Sequence, residues 1–441
     1  SDLVMGRDVI EKLNQYFKIK ERNSSFRTEI FAGITSFMTI AYILAVVPLN
    51  LSEVGMDRQS VFTATVVSSL IATFLVGVVG NFPFALAPSL GINSFFAFSI
   101  ILGMGKSVEF AIIASLISGI LLLLMTIFKI RELLFDLIPA SLKLSMVAGI
   151  GFFITFIGLK NAGIVESGGA VLTLGRLNQP SVYLALLGIV LLGILEYRKV
   201  KGSFIITILS VSVIGIFFGV TTLPEAVVSL PPSMEPTMFR FESIENILSV
   251  EMVISVFTFL FVVIFDTIGT LAGLASKADL LDENGKLQHI NRSYLADSIG
   301  SIASSIFGTS MIGTTVESAA GIKEGGKTGL TALVTAIMLG LALLLSPIFL
   351  AIPSTATTPV LVLVGYSMMS VIQVLDFTDI TEGLPAFLTV IMMPLSYSIA
   401  DGIMVGILSY TFLKILTGKT KEVSIPMIVL SVLFILKIIF I

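Results

Sequence analysis

No cysteine occurs anywhere in the sequence, which excludes disulfides, thiol catalysis and cysteine-based metal sites. The one histidine, His289, lies in the polar run DENGKLQHINR, a surface-loop setting without the partner ligands a metal would need. With no cysteine and one loop histidine, the nucleophile–base pair of an intramembrane enzyme is missing, so no catalytic residue, metal or cofactor is expected. Charge is scarce as well: 12% of residues are Asp, Glu, Lys or Arg, against about a quarter in soluble proteins. Tryptophan is absent, although membrane–water interfaces usually carry it. The run GIKEGGKTG at 321–329 lacks the spacing of a phosphate-binding loop and a preceding strand. It reads as a tight loop, and nothing else suggests ATP-driven chemistry or nucleic-acid binding.

What the chain has is apolar sequence, 55% of the whole, arranged in repeated runs long enough to cross a bilayer. Helices are expected near 29–48, 60–80, 107–129, 137–158, 180–197, 203–222, 251–275, 292–308, 328–350, 357–374, 383–397 and 401–417. Two further segments, 83–101 and 309–322, are rich in Gly, Pro, Ser, Asn and Thr. Each reads as a short extended stretch followed by a half-helix, a form tolerated at membrane depth only where it is buried or lines a cavity. The expected fold is therefore an all-α polytopic membrane protein of fourteen segments, of which the third and tenth are broken.

Basic residues cluster before the first span (Arg7, Lys12, Lys18, Lys20, Arg22, Arg27) and in the even-numbered loops, whereas the long loop 223–250 carries only Arg240. Both termini are thereby expected on the cytoplasmic side. Residues 1–28 form a polar cytoplasmic segment in which no cleavable signal peptide is expected. The apolar run 424–441 is interrupted by Lys437, and its relation to the membrane stays open at this level.

An internal repeat is visible. KSVEFAIIASLISGILLLLMTIF at 106–128 aligns without gaps on KTGLTALVTAIMLGLALLLSPIF at 327–349, pairing Lys106 with Lys327 and Gly119 with Gly340 at an offset of 221, half the chain. Seven spans per repeat is an odd number, so the halves are inverted with respect to each other, as in secondary transporters. The first repeat is expected over 29–222, the extracytoplasmic loop over 223–250, the second repeat over 251–417 and a C-terminal hydrophobic segment over 418–441. The same offset places Phe96 opposite Glu317.

Two carboxylates fall inside these spans: Asp266 in FTFLFVVIFDTIGTLAGLA and Glu317 in GTSMIGTTVESAAG. Ionisable groups at bilayer depth are costly and usually face a cavity with a function. Glu317 follows Gly313, Thr314 and Thr315 at the expected start of a half-helix, whose free N–H groups favour an anion or an acceptor. Thr270 lies four residues beyond Asp266, on the same helix face. The expected site takes Asn93, Ser94, Phe95, Asp266, Thr270, Thr315, Val316 and Glu317 for substrate, and Asp266 and Glu317 for protons. Asn93 is equally readable as the cap of the first half-helix, and Phe95 and Phe96 as core packing. Lys143, Lys160 and Glu196 read as snorkelling span-end charges, and Asp297 and Asp401 as groups solvating a cytoplasmic end.

The stretches NFPFALAPSLGINSFFAF, FDTIGTLAGLASKADLLDENGKL and GTTVESAAGIKEGGKTGLTALVTA resemble the AzgA-like purine permease branch of the nucleobase:cation symporter-2 (xanthine/uracil permease) family. The likeness runs from GITSFMTIAYI at 33–43 to PAFLTVIMMPLSYSIADGI at 385–403. Two places depart from the pattern: many members have APGMGLNA where this chain has Ser89 and Leu90, and an acid where it has Val263. The resemblance implies a core domain of spans 1–4 and 8–11 that moves against a gate domain of spans 5–7 and 12–14, in a homodimer. It implies proton-coupled symport of hypoxanthine, guanine or adenine into the cell across a prokaryotic inner membrane, among membrane lipid. The base would lie between spans 3, 8 and 10 on Asn93, Asp266 and Glu317. The alternatives are a sodium-coupled or uncoupled carrier of another planar base such as uracil or xanthine, and an anion carrier of the sulfate-permease type.

Overall fold

The computed structural model describes residues 2–131, 133, 138–169, 171–241, 243, 247–283 and 287–440. An amphipathic helix α1 (Asp2–Tyr16) precedes the first span, which is α2 (Phe26–Ile40) and α3 (Ile43–Ser52) with Ala41 and Tyr42 at the joint. Then follow α4 (Arg58–Val78), β1 (Leu86–Pro88), α5 (Leu90–Ser94) running on as a π-helix over Phe95–Gly103, α6 (Val108–Ile127) and α7 (Ala140–Asn161). A small hairpin, β2 (Val165–Glu166) and β3 (Thr173–Leu174), leads to α8 (Pro180–Tyr197) and α9 (Ser203–Phe217). The second half comprises α10 (Val250–Lys277), α11 (Ile290–Phe307), β4 (Ile312–Thr314), α12 (Ser318–Lys323), α13 (Gly329–Ala342) with α14 (Ser346–Ala351), α15 (Ser354–Met369), α16 (Ile380–Ser396) and α17 (Ile399–Leu416). A last helix, α18 (Ile425–Phe440), closes the chain.

All fourteen expected segments are present. Among the described residues, eight helices are long and apolar enough to cross a membrane by themselves. Of the others, α9 and α16 are shorter, α10 is apolar over Val250–Ile264, α11 is serine-rich, and the third and tenth segments are broken. Span starts carry the expected caps: Ser25, Asp57, Ser107 and Thr328 each accept an N–H of the first turn of α2, α4, α6 and α13.

The two broken segments cross as an antiparallel pair, Leu86 opposite Thr314, Ala87 opposite Gly313 and Pro88 opposite Ile312. A two-stranded ribbon leaves backbone groups on both outer edges, and at membrane depth each must find a partner. The repeat solves this identically in both halves. The Thr73 hydroxyl of α4 both receives the Leu86 N–H and donates to the Leu86 carbonyl, each at 3.0 Å. The Ser301 hydroxyl of α11 does the same for Ile312, at 3.2 and 3.1 Å. Beyond the ribbon, Ala85 receives both the N–H and the hydroxyl of Thr315 at 3.0 and 2.8 Å, and its own N–H goes to Ser318 at 2.9 Å.

Helices α2, α4, α6, α10, α11 and α13 pack mainly on one another, and α7, α8, α9, α15, α16 and α17 form a second group. The internal repeat governs the first group: α6 packs on α11, with Gly119 against Ile302, and α13 packs on α4, with Gly340 against Leu70. The caps Ser107 and Thr328 keep the offset of 221. The crossing segments do not. The first half-helix, with its π-turns, runs over Leu90–Gly103 and the second only over Ser318–Lys323. The ribbon makes Leu86 and Ile312 equivalent, an offset of 226, and the N-cap positions Ser89 and Glu317 lie 228 apart, so Phe96 is not the counterpart of Glu317.

Asp297 does not solvate a span end. It is fully buried, and Arg131 holds it through two bonds of 2.7 and 3.0 Å while lying 4.2 Å over the Tyr294 ring. Lys160 lies over the Tyr397 ring, and Glu196 takes the Ser203 hydroxyl. Asp401 pairs with Lys437 at 3.7 Å, and Ser431 reaches Thr411 at 2.9 Å, so α18 is fastened along α17. His289 is exposed, in the loop before α11.

Candidate substrate site

The site forms where β1 and β4 cross and their half-helices diverge, with α10 alongside. Pro88 carries no N–H to continue a ladder or a helix turn. Ser89 then caps α5, accepting the Ile92 N–H at 3.3 Å, and its hydroxyl interacts with the Asp266 carboxyl group. The cap belongs to Ser89, so Asn93 is free of that role and lies one turn further along the same face. Asn93 is completely buried, and neither atom of its amide has a protein partner. Oδ2 of Asp266 and the buried hydroxyl of Thr267 are likewise without one. Buried polar atoms left unpaired cost about 1–3 kcal/mol each. With Thr314 of β4, whose buried hydroxyl is also unpaired, four residues in this condition at the strand crossing mark a place prepared for a polar ligand.

Glu317 occupies the N-cap of α12 and receives the Tyr42 hydroxyl on Oε1. Tyr42 sits at the joint of α2 and α3, is 1% exposed, and packs T-shaped with Phe204 of α9, the ring centroids 5.4 Å apart. Sequence reading did not find Tyr42, Ser89 or Thr267. The first is one tyrosine in an apolar span, and the other two have no signal beyond their nearness to Asn93 and Asp266.

The remaining expected residues take distinct places. Thr315 ties the tenth segment to Ala85 and so fixes where Glu317 emerges. Val316 beside it is 58% exposed. Thr270 is half-buried one turn along α10. Ser94 is buried, and Phe95 packs T-shaped on Phe259 at 4.8 Å, within the core. Next to Asp266 a cavity of about 10 Å³ lies between Gly91 of α5 and Val262 of α10 on one side and Met146, Ile150, Met368 and Ile403 of the second helix group on the other. That is room for about one water, so the two groups are closed together at this point.

The Xan_ur_permease model, which describes the permease family, matches residues 27–405. The chain belongs to this family. The permease is 43% identical to a permease of Methanocaldococcus jannaschii over 98% of this chain and 99% of that one. It is 37% identical to the adenine permease AdeP of Escherichia coli, covering 99% and 97% of the two chains. It is 38% identical to the guanine/hypoxanthine permease PbuG of Bacillus subtilis, covering 97% and 100%. Among solved structures, the transmembrane domain of the cyanobacterial bicarbonate transporter BicA aligns with a TM-score of 0.64 over 86% of this chain and 97% of that one. At 14% identity that likeness concerns the fold alone, the inverted repeat of seven segments. The permease and its relatives are membrane transport proteins.

Proposed function

We propose that this permease carries purine bases, hypoxanthine, guanine or adenine, into the cell by proton symport. The observation that carries the reading is the unpaired Asn93 amide, which can donate and accept at once, beside the unpaired Oδ2 of Asp266 at the strand crossing. A purine edge offers ring N–H groups to carboxylates and acceptors to an amide. Glu317, with Oε1 held by Tyr42, keeps Oε2 for the base. One of the two carboxylates takes up the coupled proton, and the pair titrates as a unit. Relatives named as adenine and guanine/hypoxanthine permeases support the same substrate class.

In this reading the group containing α4 and α11 is the core and the group containing α7 and α15 the gate, each drawn from both repeats. Because the cavity at Asp266 is closed to the size of a water, admitting a base requires the groups to part there. Alternating access is then movement of the core against the gate around a fixed site. The chain would lie in the cell membrane among lipid, with its N-terminus cytoplasmic, as a homodimer. An anion carrier on the same scaffold is disfavoured by two acids at the site.

The test is uptake of radiolabelled hypoxanthine into proteoliposomes with and without an inward proton gradient, with adenine, guanine, uracil and sulfate as competitors. Gradient-driven accumulation blocked by purines supports the reading. No accumulation, or competition by sulfate instead, refutes it.

A further inference from the structure

A buried threonine in a membrane helix ordinarily gives its hydroxyl to the carbonyl four residues back. Thr126, Thr258, Thr335 and Thr389 all do so here, at 2.8, 2.8, 3.0 and 2.8 Å. Thr267, like Thr207 of α9, is as buried as they are and makes no such bond. Its hydroxyl instead faces Gly313 of β4. The position a methyl group would take on Gly313 lies 3.9 Å from the Thr267 hydroxyl, 3.7 Å from Oδ2 of Asp266 and 3.6 Å from Ile92. Two buried, unpartnered polar atoms therefore converge on one point, and the missing side chain of Gly313 leaves that point free.

Glycine is not demanded there by packing, because distances of 3.6 Å and more are ordinary contacts. Nor is it demanded by the backbone, since Gly313 is outside the left-handed region. What the absent methyl does is keep Oδ2 and the hydroxyl uncovered. A carboxylate accepts, while a hydroxyl both donates and accepts. The pair thus fits a ring edge that presents an N–H next to a second polar atom. The N1–H and O6 of hypoxanthine or guanine have that arrangement, and the 6-amino group and N1 of adenine have it in the shifted register.

We propose that Thr267 is a specificity-determining residue of the site, reading with Asp266 the N–H and adjacent polar atom of the base edge through the opening at Gly313. This rests on the purine reading above and names the edge it recognises. The experiment compares inhibition of radiolabelled hypoxanthine uptake by hypoxanthine and by unsubstituted purine, which lacks both N1–H and the 6-substituent, in wild type, Thr267→Val, Thr267→Ser and Gly313→Ala. Thr267→Val should weaken hypoxanthine about tenfold, the worth of one hydrogen bond, and leave purine within about twofold. The hypoxanthine preference then collapses. Thr267→Ser should keep it, and Gly313→Ala should lose it as Thr267→Val does while the protein keeps its melting temperature. A wild type that takes up purines, with the preference unmoved in Thr267→Val or lost equally in Thr267→Ser, overturns this inference alone. A wild type that takes up no purine removes the parent reading, and this one with it.

Discussion

Tyr42 and Glu317 lie 275 positions apart in sequence, yet the Tyr42 hydroxyl is bonded to Oε1 of Glu317 at the head of the tenth segment. Because the same tyrosine ring abuts Phe204, the carboxylate at the head of α12 is linked through one side chain to α9 of the second helix group. A hydrogen bond to a charged group is worth about 1.5–3 kcal/mol, and 1.4 kcal/mol is a factor of ten. Tyr42→Phe should therefore raise the KM for hypoxanthine uptake about tenfold or more, with expression and melting temperature near wild type. An unchanged KM would show that the bond does not serve the site.

Arg131 and Asp297 are both buried, 1% and 0% exposed. Removing one member of such a pair strands a charge and costs about 3–5 kcal/mol, whereas replacing both with apolar groups is often nearly neutral. Arg131→Met should lower the melting temperature in detergent strongly, and Arg131→Met with Asp297→Leu should recover most of it. Equal losses in the single and double variants would contradict this assignment.

The hydroxyls of Thr73 and Ser301 stand in for the missing outer strands. Ser301→Ala leaves the N–H and the carbonyl of Ile312 unpaired, at about 1–3 kcal/mol each. Ser301→Thr can restore both. Thermal melting and uptake should fall together in the first variant and return in the second, and Thr73→Val should repeat the pattern at Leu86.

Asp379 caps α16 and meets Lys419 at 2.8 Å. The Lys419 ammonium, then the Thr381 hydroxyl and N–H, hold its carboxyl far below the usual carboxylate range. A depressed value means that the stabilisation is complete above the unfolded carboxylate value of about 3.9 and is lost as pH falls toward the folded one. Asp379→Ala should accordingly melt below wild type by a constant margin from pH 5 to pH 8. The margin should narrow only under more acidic conditions.

Much of this was legible beforehand because bilayer-length apolar runs are unambiguous and broken ones stand out by their Gly, Pro and Ser. The start of a half-helix at Glu317 followed from the small residues before it. The offset of the crossing segments did not, because the Leu-rich α6 and α13 dominate the alignment while the two half-helices differ in length. The cap of α5 was ambiguous because serine and asparagine both cap well, and only the backbone after Pro88 decides for Ser89. Asp297 misled because charges near span ends usually reach water, and its partner Arg131 is 166 residues away. Tyr42 left no trace in sequence, since an aromatic residue in an apolar run has no local signature of a tertiary hydrogen bond.

The central claim is that the carboxylate pair Asp266 and Glu317 joins substrate to proton, with Glu317 needed for the coupling. Its most direct test is to measure equilibrium binding of radiolabelled hypoxanthine and gradient-driven accumulation side by side for wild type and Glu317→Gln. The expected result is binding that is weakened but retained, with accumulation against a gradient abolished. Uphill accumulation at the wild-type level in Glu317→Gln would contradict the account.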